Sequence, residues 1–341
     1  MGVNLTPIMV KRILTLNQLR GRNLAVDASN YLYQFLALIR TKDGTPLKDS
    51  RGNITSHLAG LMFRSTRLLC DFNIDLIFVF DGKPPALKQE TIRERRKQRD
   101  RAVDNWQKAL QTEDYDTAFS KAVMTSRLTK NMREDAKKLL SLLGIPCAEA
   151  PSEAEAQIAF MAKQGDVWAA SSKDYDTLLF GTPRLLRFLT ISGQEYLPSK
   201  GVSRPIEPEL ITTAELLDHH RITRAQLVDL AILIGTDFNE GVKGVGPKTA
   251  LKLVQKHGAI EKLPIEVRTK ITSQYREIRE IFLNPPTTSD YDLTYRPFQE
   301  KELFRFLCDE RDFSPERVET IACRMREFHR FRQSRLEKWF T

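Results

Sequence analysis

Three short apolar runs in this chain each lead into aspartate, and that recurrence constrains the fold more than any other feature. "RNLAVDA" (22–28) closes on Asp27, "LIFVFD" (76–81) closes on Asp81, and "DVWAASS" (166–172) runs on into Lys173-Asp174-Tyr175-Asp176. Runs of this length and content read as buried strands, and each is stopped by polar or turn-forming residues, as by Gly82, Pro84 and Pro85 after Asp81. Between them the spacing of apolar residues predicts helices over 29–40, over His57 to Asp71, and over most of Lys88 to Leu143. A further short strand, "GIPCAEA", precedes a helix in "SEAEAQIAFMAKQG". Residues 41–53 read as a loop or hairpin, and the chain beyond 215 reads as mostly helical. Strands alternating with helices predict an α/β fold around a mostly parallel sheet. At 341 residues and 41% hydrophobic, the chain is ample for a core of one large domain or two ordinary ones.

A carboxylate at the lip of a dry core is costly unless its charge is compensated. In parallel sheets the carboxyl ends of the strands share one edge, where ligands bind, so Asp27, Asp81, Asp174 and Asp176 are predicted to gather there. An extended chain would point Asp174 and Asp176 to one side. Glu153 and Glu155 open a helix after Pro151-Ser152, and Ser152 with Glu155 fits a capping box. Residues two apart do not share a helix face, so both acids reach one site only from the helix tip or an irregular first turn. Asp237 follows the apolar run "LAILIGT". Each acid alone is ordinary, but seven recurring at the ends of apolar segments cannot share a cleft without cations. Oxygen ligands without His or Cys favour Mg²⁺ or Mn²⁺, and two such ions form the usual pair for phosphoryl chemistry.

The remaining composition excludes several classes. Cys70, Cys147, Cys308 and Cys323 form no CxxC pair and the five histidines no metal motif, so zinc is disfavoured and a reducing compartment is expected. No apolar run is long enough to span a membrane, and the N-terminus lacks the pattern of a signal peptide. Met1, Gly2 and Thr6 fit a myristoylation pattern, but no basic cluster nearby supplies a second anchor. A formal net charge of +9 suggests a polyanionic partner.

Two basic segments sharpen that suggestion. "GVKGVGPKTALKLVQKHG" (241–258) has the glycine gap of a P-loop, but Pro247 stands where the lysine is needed and no strand leads in. It reads better as a helix-hairpin-helix turn, with Gly244 and Gly246 in the turn, Pro247 at the first helical position and free N–H groups for a phosphate. Lys248, Lys252 and Lys256 follow on roughly one face. "KQETIRERRKQRDR" (88–101) begins just after Asp81, so Lys88 and Arg95 can reach over the acidic edge and stabilise charge on a cleaved phosphate. Arg93 and Arg96 are close enough to compete for that role.

With these residues in hand, the chain resembles the flap endonucleases of the structure-specific 5′-nuclease family, over nearly its whole length. The resemblance rests on "GVNL", "VDASNYLYQF", "FVFDGKPPALK", "APSEAEAQ", "SSKDYDTLLFG", "LIGTDFNEGVKGVGPKTAL" and "FSPERV", and the compact length is similar to that of archaeal members. It implies a single nuclease domain over 1–330 with a PIN-like fold, a helical arch over about 84–130 and a helix-hairpin-helix region over about 225–260. It implies two Mg²⁺ ions held by Asp27, Asp81, Glu153, Glu155, Asp174, Asp176 and Asp237, some through water. The implied reaction is phosphodiester hydrolysis near a single-strand/duplex junction, leaving a 5′-phosphate and a 3′-hydroxyl, in replication and repair. Lys88 and Arg95 would contact the scissile phosphate, Tyr33 would stack on a base beside the cut, and the Gly2 backbone would lie near the DNA. The glycine turn would grip duplex phosphates, with a K⁺ ion on its carbonyls. An intracellular, DNA-associated monomer is expected.

The tail, 331–341, carries "QSRLEKWF", in which Gln333, Leu336, Trp339 and Phe340 match a sliding-clamp peptide pattern. Trp339 stands where phenylalanine is more usual. The rival of another class is a catalytically silent DNA-binding clamp adaptor, which has no need of seven acids. Gap- or junction-cutting relatives usually carry long insertions, which favours flap cleavage here.

Overall fold

The computed structural model describes residues 2–189, 193–197 and 202–337. The first half supplies β1 (Arg12–Ile13), β2 (Asn23–Asp27), α1 (Ala28–Leu38), α2 (Ser56–Cys70) and β3 (Asp75–Phe80). The helical segment that follows contains α3 (Gln89–Gln111), α4 (Tyr115–Val123) and α5 (Lys130–Leu142). Then come β4 (Cys147–Glu149), α6 (Ala154–Gln164), β5 (Ala169–Ser171), α7 (Asp176–Leu179) and β6 (Arg184–Arg187). A small hairpin of β7 (Gln194–Leu197) and β8 (Val202–Pro205) precedes β9 (Glu209–Thr212), α8 (Thr213–His220), α9 (Arg224–Ile234) and α10 (Pro247–His257).

Among the described residues the central sheet has the order β1-β9-β6-β5-β2-β3-β4. The block from β6 to β4 is parallel, as the alternating pattern predicts, while β9 pairs antiparallel with both β6 and β1. Strands β2 and β3 are buried along almost their whole length because helices cover both faces of the sheet. Their side chains alternate between two cores. Leu24, Val26, Leu76, Phe78 and Phe80 pack with α1, α2 and α5, whereas Ala25, Ile77 and Val79 pack with Ala154, Ile158 and Met161 of α6.

A third core joins Leu178 and Leu179 of α7 to α9, Ala250 and Val254 of α10, and Phe282 of the helix Tyr275–Leu283. Inside it Asp229 accepts from Arg279 Nε at 2.7 Å and Nη2 at 2.8 Å, so the buried acid is paired as burial demands. This core attaches the glycine-turn region to the sheet edge from which Asp176 emerges. The C-terminal helix Pro315–Glu337 packs through Val318, Ile321 and Met325 on the face covered by α1 and α2. Its last side-chain anchor described is Arg332, 2.8 Å from Asp75.

Candidate active site

The strand order places the carboxyl ends of β5, β2, β3 and β4 side by side. Asp27 ends β2, Asp81 immediately follows β3, and Glu153, Glu155, Asp174, Asp176 and Asp237 reach the same place from the adjoining turns. All seven acids line one cavity of about 180 Å³, together with Gly2, Tyr33, Lys88 and Arg95. The gathering expected from strand ends alone is therefore present.

Local geometry differs from the sequence reading in two places. Ser152 does not cap α6: the N-cap is Glu153, in extended backbone and without a side-chain cap bond. The Ala154 N–H instead donates to Asp81 Oδ1 at 2.9 Å. A carboxylate brought in by β3 caps the helix, which a sequence-local pattern cannot register. Because Glu153 stands outside the helix and Glu155 in its first turn, both reach the cavity. Asp174 and Asp176 likewise do not lie in extended chain. Tyr175 has helical backbone, Asp176 opens α7, and the Asp174 N–H donates to the Ser172 hydroxyl at 3.2 Å.

Short polar side chains hold the acids in place. Asp27 caps α1 by accepting the Asn30 N–H at 3.0 Å, and Asn30 Nδ2 donates to Asp174 at 3.2 Å. Ser29 donates to Asp81 at 2.5 Å, while Ser172 and Thr177 donate to Glu155 at 2.9 and 3.3 Å. The Val3 N–H donates to Asp176 at 2.8 Å. A Cβ on Gly2 would stand 2.7 Å from the Asp176 carboxylate, which explains a glycine there. None of Ser29, Asn30, Ser172 or Thr177 stood out in the sequence. The one available signal was an Asx-type N-cap in Asp27-Ala28-Ser29-Asn30.

Lys88 and Arg95 reach the acids as expected. Lys88 pairs with Glu153 and lies 3.5 Å from Asp237 Oδ2, and Arg95 Nη2 donates to Asp237 Oδ1 at 2.6 Å. Arg93 is exposed and faces Glu90 at 3.7 Å, and Arg96 is exposed, so of these three arginines Arg95 is the one that lines the cavity. Tyr33 is 38% exposed and lines the cavity beside the acids. The glycine turn stands apart from the cavity. Gly244 has φ +85°, Gly246 caps α10, Pro247 is its first residue, and Lys248, Lys252 and Lys256 are exposed. Gln333 and Leu336 are helical in backbone, at the end of Pro315–Glu337, and Trp339 and Phe340 lie outside the described residues.

Two cationic side chains do not balance seven carboxylates. Burial and the neighbouring Asp81 hold the Asp27 carboxyl well above its usual range, and burial with Asp176 and Asp174 does the same to Glu155. Asp176 is pushed up to about 7 by burial, Asp174 and Asp237. Burial acts to raise Asp237 too, but Arg95 and Lys88 outweigh it and hold the group below the usual carboxylate range. Burial opposes the Lys88 charge, yet Glu153 and Asp237 keep its ammonium strongly favoured. Among the described residues no three acids stand closed around one point as a finished metal cage. They line the cavity wall, with Glu153 paired to Lys88 and Asp237 to both Lys88 and Arg95. The donor set nevertheless fits hard divalent ions. It is all carboxylate, partly buried, and destabilised by a repulsion such ions would reverse.

This chain is 46% identical to Flap endonuclease 1 of Pyrococcus abyssi over all of its own length and 98% of that protein. It is 46% identical to that of Staphylothermus marinus over the full length of both. The chain belongs to the flap endonuclease family. Residues 1–102 match the XPG N-terminal domain and residues 144–237 the XPG I-region, so the two matches contain every cavity acid of this flap endonuclease. The solved flap endonuclease-1 of Methanococcus jannaschii superposes with a TM-score of 0.76 at 40% identity, covering 96% of this chain and 98% of that one. The catalytic core of Rad2 in complex with DNA substrate shares the fold at 23% identity, with a TM-score of 0.69 over 94% of this chain and 97% of that one.

Proposed function

We propose that this flap endonuclease is a divalent-cation-dependent phosphodiesterase that cuts 5′ flaps at single-strand/duplex junctions and trims 5′ ends as an exonuclease, in DNA replication and repair. The observation that carries this reading is the convergence of seven carboxylates on one cavity beneath two cationic side chains of the arch. Asp27, Asp81, Glu153, Glu155, Asp174, Asp176 and Asp237 would hold two Mg²⁺ ions, with Mn²⁺ as a substitute. Bound there, such ions supply Lewis-acid polarisation of a phosphoryl oxygen and lower the pKa of water.

The chain's own groups do the rest. Ser29, Asn30, Ser172 and Thr177 fix the directions of the carboxylates, so little reorganisation remains when substrate arrives. Lys88 and Arg95 exchange their acids for the scissile phosphate and stabilise the charge that builds on it. Tyr33, beside the cavity, offers a ring for the base next to the cut. The N-terminus of α10 and its exposed lysines grip duplex phosphates at a distance. The segment from Gln333 to Phe340 binds a sliding clamp.

The test is cleavage of a labelled 5′-flap duplex with Mg²⁺ and, in parallel, with EDTA. A single cut near the junction that requires Mg²⁺ is expected. Flap binding without any cut in either arm would favour a silent adaptor instead, and profiling on gap, nick and four-way junction DNA separates flap cutting from the related activities.

A further inference from the structure

Three side chains near the start of α3 converge on Asp237, and they do so differently. Lys88 and Arg95 contact its carboxylate, whereas Thr91 Oγ1 donates to its backbone carbonyl at 2.7 Å. Lys88, Thr91 and Arg95 follow one another at spacings of three and four, so they share one helix face. A threonine in a helix usually turns its hydroxyl back to the carbonyl one turn earlier. Here that donor crosses to another element. The acceptor is rigid: Asp237 sits in a hairpin turn where the Phe238 N–H donates to Thr236 Oγ1 at 3.1 Å and Thr236 donates to Asn239 at 2.8 Å.

We infer that Thr91 is a positioning residue: its bond to the Asp237 carbonyl keeps the start of the arch in register over the cavity while the Asp237 carboxylate changes partners. This rests on the cation-binding reading given above. A divalent ion held by the carboxylate would compete with Lys88 at Oδ2 and with Arg95 at Oδ1. The peptide carbonyl is a separate acceptor, so the Thr91 bond survives loading. It anchors the helix while Lys88 and Arg95 swing to a phosphate. Nothing in the sequence marked Thr91, because its partner lies far along the chain and offers only main chain.

Thr91→Val removes the donor at nearly constant volume, and Thr91→Ser retains it. Hydrogen exchange of the amides of residues 88–95 is measured with and without Mg²⁺, alongside single-turnover flap cleavage and flap-DNA affinity in Ca²⁺. In Thr91→Val, Mg²⁺ should speed exchange by roughly five-fold, the size of one neutral hydrogen bond, and the cleavage rate should fall by about as much. DNA affinity should stay within about two-fold, and Thr91→Ser should match the parent protein throughout. Unaltered exchange in Thr91→Val, altered exchange without loss of rate, or equal losses in Thr91→Ser would each overturn the assignment. The exchange arm needs no cleavage, so a parent protein that fails to cut flaps would refute the functional reading while leaving Thr91 separately testable.

Discussion

Asp81 Oδ1 accepts the backbone N–H of Ala154 at 2.9 Å, so the acid that ends one strand caps the helix whose own N-cap is a second cavity acid, Glu153. The carboxylate thus has a structural duty and an electrostatic one, and two substitutions separate them. Asp81→Asn keeps an acceptor for Ala154 and removes a charge that repels Asp27. Asp81→Ala removes both. Thermal unfolding of the metal-free protein should place Asp81→Asn at or above the parent protein and Asp81→Ala about 1 kcal/mol below Asp81→Asn. Both should lose flap cleavage.

Protons and cations compete for the cavity. Asp176 is pushed up to about 7 in the folded state, from an ordinary value of 3.8, and Asp27 and Glu155 are also raised. Between those values the metal-free native state holds more protons than the unfolded chain. Its cavity therefore favours stability at the acid end, and that contribution fades as pH rises through about 7. Mg²⁺ needs the ionised form, so binding near pH 6 should expel protons and tighten as pH rises toward 8. Calorimetric titration in two buffers of different ionisation heat measures the release, and identical heats in both at pH 6 would contradict it.

His57 pulls the other way. It is fully buried in α2, neither ring nitrogen has a hydrogen-bond partner, and burial pushes it down to about 4 from 6.5. The unfolded chain takes a proton in that interval and the native state does not, so stability is present above about 6.5 and falls as pH drops toward 4. The loss is on the order of 3 kcal/mol. Replacing His57 by phenylalanine should flatten the acid limb of denaturant-derived stability relative to the parent protein. Parallel pH profiles for the two proteins would show that His57 does not titrate as described.

Lys88 neutralises Glu153 and Asp237, and Glu153 also feels Asp81 and Asp237. Lys88→Ala should therefore weaken the metal-free fold, and in stopped-flow single turnovers it should slow cleavage by about 10²-fold or more while flap affinity changes little. A pure affinity loss would remove Lys88 from the chemistry.

Arg332 ties the C-terminal helix to Asp75 just before the segment from Gln333 to Phe340. Removing residues 333–341 leaves that anchor intact. Basal flap cleavage should persist and stimulation by added sliding clamp should vanish; stimulation that survives truncation would place the clamp contact elsewhere.

The alternation of elements, the parallel block of the sheet and the identity of the seven acids are legible in the amino-acid order alone. Buried strands such as "LIFVFD" are written as continuous apolar runs, and a carboxylate closing such a run is visible without coordinates. The amino-acid order also named Lys88 and Arg95, because they lie seven residues apart on one helix face in the segment that follows Asp81. Contacts between segments distant in sequence became visible only in the folded chain. Asp81, rather than Ser152, caps α6, and Thr91 finds the carbonyl of Asp237. Local rules capture hydrogen bonds a few residues apart, whereas these donors and acceptors meet only after the sheet has set its strand order.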